Sequence, residues 1–169
     1  MKRTVFIVLI MIVAFVLQTT VGKWIAFGSV SPNLLIIFVA AFGFMCGSST
    51  GLLTGFFAGL LWDLFYGDII GFHALVFMYI GYMNGAFKQI FYKEDIKLPL
   101  ILIMVSDFLY GIVCYVLQFL LRGRFDFAHY MMYVILPEMV YTVLLTMLVY
   151  PPIRTVTLKL DSQQSALSL

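Results

Sequence analysis

Four ionisable side chains stand inside or at the rim of long apolar runs: Asp63, His73, Asp107 and Glu138. An ionisable group at membrane depth costs roughly 2.5–3.5 kcal/mol on insertion scales, so each needs a physical reason. Asp63 is followed by Tyr66, Gly67 and Asp68, and His73 opens the next run after a short loop. That spacing lets the two side chains approach. Such a carboxylate reaches interfacial water, caps the next helix through its backbone N–H groups, or serves as a ligand or proton site. Asp107 stands about nine residues into its run and Glu138 about eight into the next. At ~1.5 Å per residue both fall in the middle third of a bilayer. No Lys or Arg of the chain shares that depth. Two carboxylates in a low dielectric do not both stay ionised without compensation. The choices are protonation, hydrogen bonds to Tyr110, Tyr141 or Asn84, a polar cavity, or a polar group from a partner. Pro137 precedes Glu138 and frees a carbonyl one turn earlier, which opens the helix locally. Asp107, Glu138 and Asn84 thus form a candidate intramembrane polar site, with a structural bend as the competing reading.

No catalytic pattern accompanies these groups. The sequence has no Ser/His/Asp spacing, no HExxH, no Gly-rich phosphate loop before a lysine and no paired histidines for a metal. The expectation is a non-enzyme with no cofactor and no metal. Cys46 and Cys114 both lie in apolar stretches and read as small apolar filler.

The elements that position these residues follow from composition. Of 169 residues, 63% are apolar and 11% charged, against about 25% charged in a soluble domain. Too little polar surface remains to cover a water-facing globule. A net charge of +2 gives no basic footprint for nucleic acid. A spanning helix needs roughly 20 residues, so the length suits one integral membrane domain of six helices. The expected spans are 4–21, 33–47, 50–66, 71–92, 98–121 and 130–150, with 153–169 as a short cytoplasmic tail. The first resembles a signal peptide but is about 18 residues long and lacks an A-x-A site, so it reads as uncleaved. Residues 33–66 as one helix would reach ~50 Å, too long for a ~30 Å core. A hairpin at Gly47-Ser48-Ser49-Thr50-Gly51 is therefore expected. Pro151-Pro152 is expected to stop the last helix.

With the N-terminus inside, Lys2, Arg3, Lys88, Lys93, Lys97, Arg154 and Lys159 fall on cytoplasmic segments. Only Lys23, Arg122 and Arg124 fall outside, which favours both termini in the cytoplasm. Gly43, Gly47, Gly51, Gly55 and Gly59 recur every four residues. Small residues let helices approach closely in lipid. Gly51, Gly55 and Gly59 form a contact stripe, either for a partner's helix or for this chain's own bundle.

At Pro32-Asn33-Leu34, across Gly55-Phe56-x-x-Gly59-x-x-x-Asp63 and at Gly71-x-x-Ala74-Leu75, the chain resembles the MreD family of rod shape-determining proteins. The resemblance implies a bacterial inner-membrane protein without catalytic activity, working in the machinery that inserts side-wall peptidoglycan. It implies MreC as partner, with MreB, RodA and a class B penicillin-binding protein beyond it. Gly51, Gly55, Gly59, Asp63 and Gly71 are the expected packing or partner residues. The family is similar in architecture to the substrate-binding subunits of energy-coupling-factor vitamin transporters, which makes such a subunit the alternative. Those subunits carry an A-x-x-x-A stripe on the first span. Here Ala14 is followed four residues later by Gln18, so the stripe is missing. A protein handling lipid-linked precursors is a third reading that the polar midplane permits.

Overall fold

The computed structural model describes residues 2–25, 31–67, 69–90, 97–117 and 127–167. Asp68, Tyr92, Lys93, Arg122 and Arg124 lie outside the described residues, and with them part of the charge pattern used for orientation. The described residues form six helices and no strand. They are α1 (Lys2–Ile25), α2 (Leu34–Cys46), α3 (Ser48–Tyr66), α4 (Phe72–Ala86) and α5 (Lys97–Tyr115). The sixth, α6, starts at Phe127–Tyr130, passes through a π turn at Met131–Ile135 and continues as Leu136–Leu167. A short 3-10 turn, Phe87–Ile90, follows α4.

The organising element is α2. It has 13 residues, LLIIFVAAFGFMC, apolar on every side, and every one of them is buried. A helix without a polar face must be enclosed, and α2 packs against each of the other five helices. At 1.5 Å per residue it is roughly 20 Å long. It stops at Gly47, whose φ of +103° suits glycine. Ser48 already belongs to α3, so one residue separates the two helices. The expected five-residue hairpin is narrower than its Gly/Ser/Thr composition suggests, because Gly47 alone makes the break.

The α3 and α4 helices form the most extensive pair. The buried face of α3 is Gly51, Thr54, Gly55, Ala58, Gly59 and Asp63, a helical repeat of small side chains. A Cβ on Gly51 would overlap the Gly81 carbonyl, one on Gly55 the Phe77 carbonyl, and one on Gly59 the backbone of His73 and Ala74. In return, a Cβ on Gly81 would strike Gly51, and one on Gly85 would strike Ser48. The glycine stripe is therefore filled by α4 of the same chain.

In α6, Pro137 follows the π turn, where the backbone N–H of Leu136 bonds the carbonyl of Met131. The wider turn relieves the clash that a proline ring makes with the preceding turn. The expectation that Pro151-Pro152 ends the last helix is corrected, because α6 runs through both prolines to Leu167. The reason is tertiary. Tyr150, Ile153 and Thr157 are buried against the bundle, whereas Met147 and Leu148, whose carbonyls lose their donors, lie on the open side. Packing thus overrides a local stop signal, and 153–167 is helix rather than an irregular tail.

Six spans, the second of them short, are expected from the sequence. Among the described residues, Lys97–Tyr115 and Phe127–Lys159 are long and apolar enough to cross a membrane, whereas Leu34–Cys46 is a shorter apolar helix. The shortfall has a physical cause. The central helix is walled by protein rather than lipid, and α3 and α4 give much of their inner faces to Gly, Ala, Thr and Asn.

The packing sets up a contrast between neighbouring positions. Gly55→Leu forces side-chain atoms into the α4 backbone and should cost about 3 kcal/mol, while Leu53→Ile, on the open face, should stay within about 0.5 kcal/mol. Thermal midpoints of the two purified variants in one detergent check this, and equal midpoints would refute close α3–α4 contact.

Candidate functional site

The carboxylate of Asp63, four residues from the start of the turn at Gly67, is 2% exposed and reaches across to the beginning of α4. Its Oδ2 accepts the backbone N–H groups of Gly71 at 2.9 Å and Ala74 at 3.1 Å. Its Oδ1 accepts the backbone N–H of His73 at 3.2 Å and lies 2.7 Å from the His73 Nδ1. An ionised carboxylate only accepts, so this geometry assigns the ring proton to Nδ1. The residue before α4 is Gly71, which has no side chain to cap the helix. Asp63 supplies that cap from the neighbouring helix, and the negative charge complements the positive helix end. Gly71 holds φ +97° with open space around its Cβ position, so its constraint is conformational rather than steric. The His73 ring sits edge-on to Trp62, Phe72 and Phe77. With four donors converging on two oxygens, Asp63 has no lone pair left for a substrate. The arrangement locks a turn.

A second polar group surrounds the amino end of α2. Three donors there find three acceptors from separate parts of the chain. The N–H of Asn33 bonds the Thr142 hydroxyl of α6 at 3.1 Å. The N–H of Leu35 bonds Gln18 Oε1 of α1 at 3.1 Å, and that of Ile36 bonds Asn33 Oδ1 at 3.3 Å. At the other end, Lys88 Nζ donates to the Cys46 carbonyl at 3.1 Å, placing a cation on the negative helix terminus.

Asp107 and Glu138 lie beside this capped end. Asp107 is 3% exposed and interacts with Thr142, while Glu138 interacts with Asn33 and with Asp107 itself. Asn84 does not join them directly. Its Nδ2 donates to Ser106 Oγ at 2.7 Å and to the Ile80 carbonyl at 2.8 Å. Ser106 and Asp107, adjacent in α5, thus connect to α4 and α6 respectively. Asp107 Oδ1 and Asn84 Oδ1 are buried without a hydrogen-bond partner. Among the described residues no group of three His, Cys, Asp or Glu side chains is placed to hold a metal ion.

Sequence reasoning lets Asp63 and His73 approach and puts Asp107 and Glu138 at similar depth. It misses Gln18, Thr142 and Lys88. Gln18 is visible as a lone amide in an apolar run, and Thr142 pairs with Thr146 at helical spacing. Neither signal says which helix end is capped.

The family model described as rod shape-determining protein MreD matches residues 1–159. This is a family of membrane proteins. No curated protein and no solved structure matches the chain. The transporter-subunit alternative gains no support.

The cap geometry fixes the effect of two substitutions. Asp63→Asn turns one acceptor oxygen into a donor facing backbone N–H groups and should cost about 2–3 kcal/mol. Gly71→Ala should cost about 1–2 kcal/mol through backbone strain alone, with Gly71→Asn costing less. Thermal unfolding in detergent ranks the three, and an Asp63→Asn protein as stable as the parent would show that the cap contributes little.

Proposed function

The chain belongs to the MreD family of rod shape-determining membrane proteins, and on that premise we propose that it is a non-catalytic scaffold of the side-wall elongation machinery. Its direct partner is MreC, through which it is tied to MreB, RodA and a class B penicillin-binding protein. Both termini lie in the cytoplasm. The mechanism is mechanical: a rigid hairpin holds the partner's span and its membrane-proximal segment in one orientation.

The observation that carries this reading is the α3–α4 hairpin. Its two helices meet backbone to backbone along the glycines, and Asp63 ties the turn. The Asp63 carboxylate at its turn is satisfied within the chain, and much of its outward surface is apolar. Leu64, Phe65, Tyr66, Ile69 and Ile70 form an exposed rim around the capped turn. Along the same helix, an apolar groove of about 370 Å³ runs between α1 and α3, lined in part by Met11, Leu53, Phe57 and Leu61. The groove takes side chains of the partner's span, and the rim takes the segment where that span leaves the bilayer.

Photocrosslinking groups at Phe57 and Ile70 should capture MreC in native membranes, and one at Tyr133 of α6, equally exposed, should capture much less. Ile69→Asp with Ile70→Asp should lower MreC recovery at least about tenfold, equivalent to 1.4 kcal/mol, and round the cells, while the protein accumulates normally. Undiminished MreC recovery with rod-shaped cells would reject this surface.

A further inference from the structure

The turn tied by Asp63 contains one polar atom that the cap does not use. His73 Nδ1 lies 2.7 Å from Asp63 Oδ1, and the backbone N–H of His73 bonds the same oxygen at 3.2 Å. A carboxylate accepts and does not donate, so the ring proton sits on Nδ1. The neutral imidazole then presents a lone pair, not a proton, at Nε2. Asp63 therefore decides the hydrogen-bonding character of the far side of the ring, as a carboxylate does when it orients a ligating histidine.

No described residue supplies a donor to Nε2. Around the ring stand Trp62 of α3, Phe72 and Phe77 of α4 and Tyr110 of α5, each in ring-to-ring contact. The atom is not sealed behind them. The side chain keeps 9% of its surface exposed, and Nε2 is not one of the fully enclosed atoms left without a partner. It opens at the surface of the turn that also carries the exposed apolar side chains of Leu64, Phe65, Ile69 and Ile70. The combination restricts what can cover this surface. While the turn is open, water meets the lone pair. A segment that covers the rim displaces that water, and an acceptor then left without a donor costs about 1–3 kcal/mol. A wholly apolar segment is penalised by that amount, and an acidic one is repelled by the lone pair and by Asp63.

We propose that His73 Nε2 is a specificity contact, accepting a hydrogen bond from a neutral donor, an indole N–H or a hydroxyl, on an otherwise apolar segment of the partner. Trp and Tyr join such a donor to a large apolar ring and favour the membrane surface. Asp63 is the positioning residue, since it holds the ring proton on Nδ1. This contact rests on the scaffold reading above and deepens it, by naming the chemistry that the partner must bring to the rim.

The test compares His73→Asn with His73→Gln in the full-length protein, by thermal midpoint in nanodiscs and by MreC recovery from native membranes. Asn places its amide near the Nδ1 position, so it keeps a donor for Asp63 and has nothing at Nε2. Gln reaches the Nε2 position and gives up the Asp63 bond. His73→Asn should therefore be the more stable variant, yet recover MreC roughly three- to tenfold less well than His73→Gln. A purely structural His73 would move both readouts in the same direction, and that result overturns the proposal. Nitrogen NMR of the imidazole in the parent protein in nanodiscs, assigned with His129→Gln, decides the matter if either His73 variant fails to fold. Nδ1 should be protonated and Nε2 bare, and the Nε2 signal should move to a hydrogen-bonded position when purified MreC is added. A proton on Nε2, or an Nε2 signal unmoved by bound MreC, overturns the contact and leaves the scaffold reading intact. Failure of MreC to bind at all removes the scaffold reading, and this contact with it.

Discussion

Backbone groups at a helix end cannot be left bare where no water can reach them, and this protein is arranged around that requirement. Its central helix is too short to carry both ends to the bilayer surfaces. The amino end of α2 is therefore met inside the bundle by Gln18, Asn33 and Thr142, and its carboxyl end by Lys88. The start of α4 raises the same problem, and Asp63 of α3 solves it. Among the buried polar side chains, Gln18, Asn33, Asp63 and Thr142 serve these ends. They are expensive individually and become favourable only in combination with the helix they terminate.

The second constraint is proximity. The cap from Asp63 reaches α4 only because glycines let the two backbones nearly touch lower down the same pair. A wider separation would carry the carboxylate out of reach of Gly71 and Ala74. Stripe and cap are thus one device: the glycines set the distance, and the carboxylate fixes the register. Rigidity of this kind suits a shape-determining protein of the membrane better than a site that must open and close around a substrate.

Much of this is legible in the residues. The four-residue glycine period, the break at Gly47 and the closeness of Asp63 to His73 all follow from local rules of spacing, as does the resemblance to the MreD family through Gly55, Gly59, Asp63 and Gly71. Other features depend on what lies opposite. A glycine stripe specifies a close neighbour without specifying whose helix it is. Gln18 and Thr142 look like isolated polar residues until α2 is placed between them. Pro151-Pro152 reads as a stop, yet the burial of Tyr150, Ile153 and Thr157 holds the helix together on the far side. A run of thirteen apolar residues says that the helix is enclosed, but not which helices wall it.

The single-residue link at Gly47 bears on how the polypeptide reaches its place during synthesis. A segment of roughly 20 Å does not match a ~30 Å hydrocarbon layer and is a poor candidate for independent release from the insertion channel. With only Gly47 between them, α2 and α3 are constrained to enter the bilayer as a pair. The pair stays short of its final partners until α6 delivers Thr142 to the waiting amide of Asn33. Closure of the innermost layer therefore waits on the sixth helix.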